Sequence, residues 1–285
     1  MPLLPINRRK FIGLAAGAGV AAVAADAVLF EPNRPQIVRQ EIRLRRWPQH
    51  LDGFKIALLS DFHWDPDFSI HPIRASIPMV NAEQPDLVAL TGDFATLPTF
   101  SNREKGAEGA EPCAKMLSEI RSKFGLWAVL GNHDMFTDPD RVASALRAVG
   151  IRLLSNESVP IETNGARFWL SGVEDVLGKT ADLDKALHDV PSGEATVLMA
   201  HEPDYGDRVA RHPVDLQLSG HSHGGQVRLP LLPPLYLPPL ARKYVWGLYK
   251  IRDLTLYTNP GLGTITMPVR LNCPPEITML TIRQG

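Results

Sequence analysis

The chain has 285 residues, of which 44% are hydrophobic and 21% are charged, and this is enough apolar material for one large core. Its 30 basic and 31 acidic residues give a formal net charge of −1, which disfavours a nucleic-acid partner because such partners bind basic surfaces. The two cysteines, Cys113 and Cys273, lack the spacing of a thiolate metal site. Two buried free thiols are the favoured interpretation, and a disulfide between them stays open.

The N-terminal residues predict an export signal or a membrane anchor. Residues 7–13 carry two arginines and a lysine, and an uncharged run from Phe11 to Ala25 follows. This order is typical of twin-arginine signals. The run is short for a membrane span, which needs about 20 residues, so cleavage and retention both stay open. We assign residues 1–30 to this signal or anchor. Residues 31–285 are then a single domain in the periplasm or on the outer face of the cytoplasmic membrane.

Strands and helices alternate in the first half of the chain. The polar residues 31–50 predict an approach to an edge strand, and residues 97–111 predict a mobile loop. Apolar runs that predict buried strands lie at Phe54–Leu59, Asp86–Thr91 and Leu126–Leu130. Apolar residues at helical spacing predict helices at Pro112–Phe124 and Asp138–Val149. This alternation indicates an α/β fold.

The second half contains more predicted strand. Residues 181–189 predict a short helix. Short apolar or alternating runs lie at Arg167–Val173, Ala195–Ala200, Leu216–Ser219, Leu254–Thr258 and Ile277–Ile282.

Five short polar motifs follow the apolar runs. In chain order they are Asp61-Phe62-His63, Gly92-Asp93, Gly131-Asn132-His133-Asp134, His201 and Gly220-His221-Ser222-His223. Open α/β sheets hold their ligands at the carboxyl ends of strands. Asp, Asn and His together are the ligand set of a site for two divalent cations, and such a site indicates hydrolysis of phosphate esters.

The spacing of the motifs suggests individual ligand roles. A carboxylate can bind one cation with each oxygen, so Asp93 is the predicted bridge between two cations. Asp61 and His63 are two positions apart, as are His221 and His223. Both members of each pair can therefore face one side of an extended segment.

The third motif combines a ligand with two predicted catalytic residues. Asn132 offers an oxygen without adding charge, so an anionic phosphate can still approach. His133 follows at once, points in another direction, and is predicted to contact the substrate or its leaving group. We expect Asp134 to orient His133 by accepting its ring N–H.

The ordered motifs closely resemble the calcineurin-like metallophosphoesterase family, over residues 53–283. The resemblance implies a four-layer α-β-β-α sandwich of two mixed sheets flanked by helices. It implies a catalytic role for His133. Thr96 departs from the pattern, because many members have Asp or Asn there, and one contact outside the metal ligands is therefore in doubt. The resemblance implies one cation held by Asp61, His63, Asp93 and His223, and a second held by Asp93, Asn132, His201 and His221.

Nitrogen and oxygen donors without a thiolate suit Mn, Zn or Fe as the two divalent ions. Residues 224–230, 243–249 and 259–263 resemble an exported or membrane-associated bacterial branch, which includes enzymes similar to UDP-2,3-diacylglucosamine pyrophosphatases. We expect a phosphodiesterase or pyrophosphatase that cleaves an envelope glycolipid or a small phosphodiester with a metal-bound hydroxide. A broad-range phosphomonoesterase and a metal-binding scaffold without turnover are the alternatives.

The Leu- and Pro-rich residues 229–241 follow the last motif and are predicted to border the site. They could receive an acyl chain or contact a bilayer, with Arg242 and Lys243 meeting lipid phosphates. A rigid loop packed on the core is the alternative. The predicted partners are a small-molecule or lipid-linked phosphoester substrate and, in addition, a membrane surface.

Overall fold

The computed structural model describes residues 8–97, 103–163 and 165–285. Strands in this part are β1 (Gln36–Leu44), β2 (Phe54–Leu59), β3 (Leu87–Leu90), β4 (Leu126–Ala128), β5 (Arg152–Leu153), β6 (Glu157–Thr163), β7 (Ala166–Gly172), β8 (Thr196–Met199), β9 (Leu216–Ser219), β10 (Gly247–Ile251), β11 (Leu254–Thr258) and β12 (Glu276–Gln284). Its α-helices are α1 (Arg8–Ala25), α2 (Ile70–Glu83), α3 (Arg103–Gly106), α4 (Ala110–Leu117), α5 (Asn132–Phe136), α6 (Pro139–Ala148), α7 (Leu183–Ala186) and α8 (Gly206–Val209).

The strands form two six-stranded mixed sheets. The first has the order β1-β12-β2-β3-β4-β5 and is parallel except where β12 meets β2. The second has the order β10-β11-β9-β8-β7-β6, with parallel pairs in the centre and an antiparallel pair at each edge. Since the central strands of each sheet are parallel, their carboxyl ends share one edge of that sheet.

Alternate side chains of the central strands belong to different layers of the core. In β2, Ile56 and Leu58 pack between the two sheets, whereas Ala57 and Leu59 pack against α2, α4 and α6. On the far side, Leu198 of β8 packs against α7 and α8. This separation follows from the two-residue period of a strand. The expected four-layer α-β-β-α sandwich of two mixed sheets is therefore confirmed.

Predicted strands agree with the structure better than predicted helices do. The bounds of β2, β9 and β11 are as predicted, and the other predicted strands shift by one or two residues. The helix predicted at Pro112–Phe124 is misplaced, because α4 begins at Ala110 and ends at Leu117. The predicted loop 97–111 is wrong for Arg103–Gly106, which is helical, and residues 98–102 lie outside the described residues.

Helix α2 has no counterpart among the predicted elements, since it contains Pro72 and Pro78. An interior proline costs a helix about 3 kcal/mol or more, because it lacks a donor and clashes with the preceding turn. Ile73, Ile77 and Val80 are buried against the first sheet. Burial of each such side chain contributes about 1.5–3 kcal/mol, so the packed face outweighs the cost of Pro78.

Helix α1 continues through a π-helical turn, Asp26–Phe30, and a 3₁₀ turn, Glu31–Asn33. By length and composition, Arg8–Asn33 could cross a membrane. None of the α1 side chains is buried, whereas Ala27 beyond it is buried and its carbonyl accepts a hydrogen bond from Arg270 N at 3.0 Å. The helix is thus exposed along its length and attached to the sandwich at its end, an arrangement that suggests membrane anchoring.

Candidate metal centre

The five polar motifs lie at the carboxyl ends of central strands from both sheets. These ends bring together side chains that are far apart in the sequence, as expected for ligand sites of α/β sheets. Asp61 and His63 follow β2, Asp93 follows β3, Asn132, His133 and Asp134 follow β4, His201 follows β8, and His221 and His223 follow β9.

One group of potential ligands comes from β2 and β9. Asp61, His63 and His223 bring one nitrogen or oxygen each within 4.8 Å of one another. His223 Nε2 lies 3.4 Å from Asp61 Oδ1 and 3.0 Å from His63 Nε2. Two imidazole nitrogens and a carboxylate at this spacing can hold a single cation.

A second group comes from β3, β8 and β9. Asp93, His201 and His221 also bring their ligand atoms within 4.8 Å of one another. Asp93 Oδ2 lies 3.1 Å from His201 Nε2 and 3.4 Å from His63 Nε2. Because His63 belongs to the first group, the carboxylate of Asp93 stands between the two groups, in the position predicted for a bridge.

Polar contacts outside these groups leave the ligand atoms available. His201 Nδ1 donates to Thr91 O at 2.6 Å, so Nε2 is the ring nitrogen that faces Asp93 and a cation. His221 Nε2 donates to Pro239 O at 2.9 Å, which leaves the lone pair on Nδ1. Asn132 Oδ1 is buried and has no hydrogen-bond partner among the described residues. A buried oxygen of this kind is costly unless something satisfies it, and a cation would do so.

Burial sets the protonation of Asp61, His63 and His221 in favour of cation binding at neutral pH. At His201, by contrast, burial is outweighed by the Asp93 carboxylate, which raises the pKa of that ring well above its usual value. Burial lowers the pKa of His63 and of His221 to about 3, so both rings are neutral donors. Burial also raises the pKa of Asp61 to about 6, and this carboxyl therefore releases its proton close to neutrality. The donor set fits two divalent cations.

Five of the predicted ligands have left-handed backbone conformations. The φ angles are 49° for Asp61, 40° for His63, 56° for Asp93, 67° for His221 and 51° for His223. Such conformations cost residues other than glycine about 1–3 kcal/mol and are concentrated at functional sites. The strained backbone therefore supports a role for these residues in function.

Two glycines allow the motif loops to approach closely. A Cβ at Gly131 would overlap Asp93 Oδ1, and a Cβ at Gly220 would overlap Ser60 Oγ. The small size of glycine, and not its conformational freedom, is what these two positions need, because no left-handed φ is found at either.

The prediction that Asp134 orients His133 is wrong. The carboxylate of Asp134 is fully buried and accepts from the backbone N–H groups of Asp93, Ala95 and Gly131, at 2.9, 2.9 and 3.0 Å. Each of these donors belongs to the loops after β3 and β4. Asp134 therefore links the loop after β3, which carries Asp93, to the loop after β4. Its carboxylate is not positioned to contact a substrate.

His133 is held by the backbone instead. Its Nδ1 accepts from Leu97 N at 2.8 Å, so the neutral ring carries its proton on Nε2. Its own N–H donates to Asp93 Oδ1 at 2.8 Å, and its ring lies 4.7 Å from that of His63. These contacts place the ring beside the ligand groups, as the sequence predicts.

Thr96, which departs from the family pattern, still places a polar group beside a predicted metal ligand. Its hydroxyl oxygen lies 3.4 Å from Nδ1 of His63. A hydroxyl thus takes the position beyond a histidine ligand where a carboxylate or amide is expected, at the long limit of a hydrogen bond.

Arg270 is a residue that the sequence analysis missed. It is fully buried and its guanidinium donates to the carbonyls of Pro260, Gly261 and Gly263. Gly263 N in turn donates to Asp61 O at 2.7 Å. Arg270 therefore supports the backbone of a metal ligand through the loop 260–263. A lone arginine outside any motif carries no sequence signal for this role.

A cavity of about 760 Å³ opens beside the ligand groups. The prediction that residues 229–241 border the site is confirmed. Residues 229–236 are largely exposed, whereas Ala241 is buried, so the alternative of a loop packed on the core holds only for the C-terminal end of this stretch. Lys243, just after this stretch, forms an exposed ion pair with Asp207. The cavity is lined on one side by Asp93, Asn132, His133, His221 and His223, and on the other by Leu235, Tyr236, Pro238, Pro239, Ile265 and Met267.

Both cysteines are buried and free, so the favoured interpretation of two unpaired thiols is confirmed.

Known proteins resemble this chain along almost its whole length. It is 30% identical over 286 residues to the uncharacterized metallophosphoesterase YkuE of Bacillus subtilis, covering 98% of each chain. It is 30% identical over 285 residues to phosphodiesterase YaeI of Escherichia coli, covering 97% of this chain and 99% of that protein. A bovine protein named transmembrane protein with metallophosphoesterase domain is 31% identical over 266 residues, which are 87% of this chain and 57% of that protein.

The family profile described as calcineurin-like phosphoesterase matches residues 54–225, which contain all five motifs. The chain therefore belongs to the calcineurin-like phosphoesterase family and is a metallophosphoesterase, a hydrolase of phosphoester bonds.

Proposed function

We propose that this chain is a phosphodiesterase that acts with two divalent cations, Mn, Zn or Fe. The observation that carries the proposal is the position of Asp93 Oδ2, 3.4 Å from His63 Nε2 and 3.1 Å from His201 Nε2. A carboxylate shared between two sets of histidines suits two cations better than one. The proposed holders of the first cation are Asp61, His63, Asp93 and His223, and those of the second are Asp93, Asn132, His201 and His221.

Two bound cations would supply charge neutralisation for the phosphate and an activated water. The water oxygen bonds to phosphorus as the ester P–O bond breaks, a proton goes to the leaving oxygen, and a phosphomonoester and an alcohol remain. His133 holds a proton at Nε2 and lines the cavity, so it can donate a hydrogen bond to the leaving oxygen. Asn132 adds no charge beside the incoming anion.

The cavity wall favours a diester that carries an apolar group over a small monoester. Leu235, Tyr236 and Met267 stand opposite the ligand groups and present a mainly apolar surface to a bound substrate. A lipid-linked phosphoester of the cell envelope, such as a UDP-diacylglucosamine-like glycolipid, has both a phosphodiester and an apolar group. The relative named phosphodiesterase YaeI supports the diesterase assignment.

The N-terminal helix gives the proposed location. Arg8–Asn33 is retained as a membrane anchor in this proposal, with Arg8, Arg9 and Lys10 on the cytoplasmic side and the sandwich outside. The paired arginines suggest export by the twin-arginine route. Relatives named as transmembrane proteins support the anchor.

The test is hydrolysis of bis-p-nitrophenyl phosphate beside p-nitrophenyl phosphate by the full chain. The protein is purified in detergent, stripped of metal, and supplied with Mn, Zn, Fe or Mg. We expect metal-dependent turnover that favours the diester. A preference for the monoester would support the broad-range phosphomonoesterase, and bound metal without turnover of either compound would support the scaffold.

Asp93→Asn is the variant that tests the bridge. Removing its charge should release at least one cation and lower diester turnover by about 10²–10³-fold, since the shared ligand supports both cations. Metal content per chain and turnover are measured together. Asp253→Asn, at an exposed turn before β11, is the matched control and should change neither quantity. Two retained cations in Asp93→Asn would rule out the bridge.

A further inference from the structure

We propose that residues 229–241, here called the mouth loop, dock on the bilayer that holds the N-terminal helix. The cavity then takes phosphoester head groups directly from lipids at the membrane surface. The docking part of this inference stands on the geometry of the loop and the helix. Its substrate part rests on the proposed phosphodiesterase function.

Apolar side chains of the mouth loop are turned away from the protein. Leu231 is 104% exposed, and Leu232, Leu235 and Tyr236 are exposed as well. Exposed apolar side chains grouped in this way mark interaction sites in soluble domains. The two leucines at 231 and 232 do not line the cavity, so substrate contact does not account for them.

Backbone conformation at the tip of the loop strengthens this interpretation. Leu231 has a φ of 66°, a left-handed conformation that glycine or asparagine would adopt at lower cost. A leucine here accepts backbone strain while its side chain contacts little of the protein. Insertion of that side chain into an apolar environment would offset both the backbone strain and the exposure of the leucine to water.

The N-terminal helix is fixed to residues 264–273, here called the anchor-binding segment. Ala27 O accepts from Arg270 N at 3.0 Å. The carboxylate of Glu31 accepts from Asn272 N at 3.0 Å and from Cys273 N. The point where the helix leaves the sandwich is therefore defined by hydrogen bonds to this segment.

The other end of the anchor-binding segment forms part of the cavity wall. Gln226, just beyond the last metal motif, accepts from Ile265 N at 3.0 Å and donates to Ile265 O and Met267 O at 3.0 and 3.2 Å. Ile265 and Met267 line the cavity together with Leu235 and Tyr236 of the mouth loop. The mouth and the anchor thus share one segment of backbone.

Chain length limits how far apart the two can be. Met267 at the mouth and Arg270 at the anchor are three residue steps apart in the chain, so their Cα atoms lie at most about 10 Å from one another. Apolar groups of surface-bound proteins enter a bilayer to about 5–10 Å. A membrane that begins at Ala27 therefore lies within reach of the mouth loop, and this continuity favours a bilayer over a second copy of the chain.

Depth of the loop in a bilayer is the direct test. The full chain is placed in vesicles of phosphatidylethanolamine and phosphatidylglycerol, with an NBD fluorophore on Leu231→Cys. Both native thiols are buried and so are protected from labelling. Leu248→Cys, at an exposed position of β10 away from the cavity, is the matched control.

We expect lipids with a shallow doxyl group to quench the fluorophore at position 231 but not at 248. A water-exposed fluorophore at 231 would overturn docking. So would a fluorophore shielded from water but not quenched by lipid, because a second copy of the chain would then cover the loop.

A second measurement separates docking from catalysis. Leu231→Asp/Leu232→Asp and the control Leu248→Asp are assayed on hexadecyl p-nitrophenyl phosphate in vesicles and on soluble bis-p-nitrophenyl phosphate. We expect kcat/KM of the double variant to fall about tenfold or more on the vesicle substrate and to stay within about twofold on the soluble one. An equal effect on both would overturn the role of the loop. Inactivity of the unaltered chain on both would refute the proposed function, and the fluorophore depth would still decide docking.

Discussion

His133 shows how single hydrogen bonds decide the chemistry of a side chain. Leu97 N occupies its Nδ1, and Asp93 Oδ1 holds its backbone N–H. A donor at Nδ1 opposes a second proton there, so the ring presents Nε2–H to the cavity as a neutral group. In the proposed mechanism, His133 would therefore act by hydrogen bonding to a developing negative charge and not as an imidazolium acid.

Replacement of His133 by Ala tests this role. The variant should keep both cations, because the ring is not needed to hold them in the proposed ligand set. Its turnover of the diester should fall by about 10²–10³-fold, the usual contribution of one positioned hydrogen-bond donor. Metal content and kcat are measured on the same preparation. An unchanged kcat would remove His133 from the mechanism.

Asp61 should make cation binding depend on pH. Burial raises the pKa of this carboxyl to about 6 in the metal-free chain, so protons compete with a cation below that value. The pKa of about 3 for His63 and His221 leaves both rings neutral over the same range.

Affinity for Mn or Zn should therefore rise from about pH 5 to about pH 7, as Asp61 loses its proton. The metal-free chain should also become more stable as the pH rises to about 6.5, because folding keeps the rings of His63 and His221 neutral, whereas the unfolded rings bind protons below that value. Asp61 opposes this trend, since the stability gained from its proton is lost as the pH rises through about 6. Calorimetric titrations and thermal unfolding across this range measure both trends, and an affinity independent of pH would contradict the assignment.

At the scale of the element, the loops that follow the strands lie very close to one another around the ligand groups. The left-handed conformations of Asp61, Asp93 and His221 turn the chain sharply within two or three residues of a strand end. Asp134 joins two such loops through three backbone donors, and Arg270 supports a third through three carbonyls. The strain of each turn is thus balanced by polar contacts that the loops make with one another.

Gly131→Ala tests whether this close approach matters. Its φ of −101° is favourable for alanine, so the expected effect of the substitution is the overlap of the new Cβ with Asp93 Oδ1. We expect displacement of the Asp93 carboxylate, weaker cation binding, and destabilisation of about 1–3 kcal/mol from overpacking. Gly17→Ala, at an open position of α1, is the control and should bind metal normally. Normal cation binding by both variants would show that the loops can move apart without weakening the metal site.

At the scale of the whole molecule, the centre joins two sheets that share one apolar core. Ligands from β2, β3 and β4 meet ligands from β8 and β9, so a cation shared through Asp93 would link the two halves of the sandwich. Cation binding should then stabilise the entire fold, because the ligand positions are assembled only when both sheets are packed.

Removal of the cations by a chelator should therefore lower the midpoint of thermal unfolding. A cation at about 100 times its dissociation constant stabilises the folded state by about 2.7 kcal/mol per site. The expected shift is several degrees for a chain of this size. Calcium, which prefers more oxygen ligands, should restore less stability than Mn or Zn. An unchanged midpoint after chelation would mean that the site is not linked to folding.

Motif order and hydrophobic pattern are the properties that the sequence by itself determined. Buried strands such as β2, β9 and β11 have local signatures, since a short apolar run must be covered on both faces. The polar residues that follow these runs had to meet at strand ends, so the metal centre and the family could be inferred before any contact was known.

Only the tertiary structure decided which groups each individual side chain contacts. Helix α2 forms in spite of Pro72 and Pro78 because the first sheet buries its apolar face. Asp134 binds backbone groups 39 and 41 residues away in the chain, although His133 is its neighbour in sequence. Likewise, the nearness of the mouth loop to the N-terminal helix arises from residues 264–273. The physical reason is the same in each case: these contacts join segments that only the packing of the two sheets brings together.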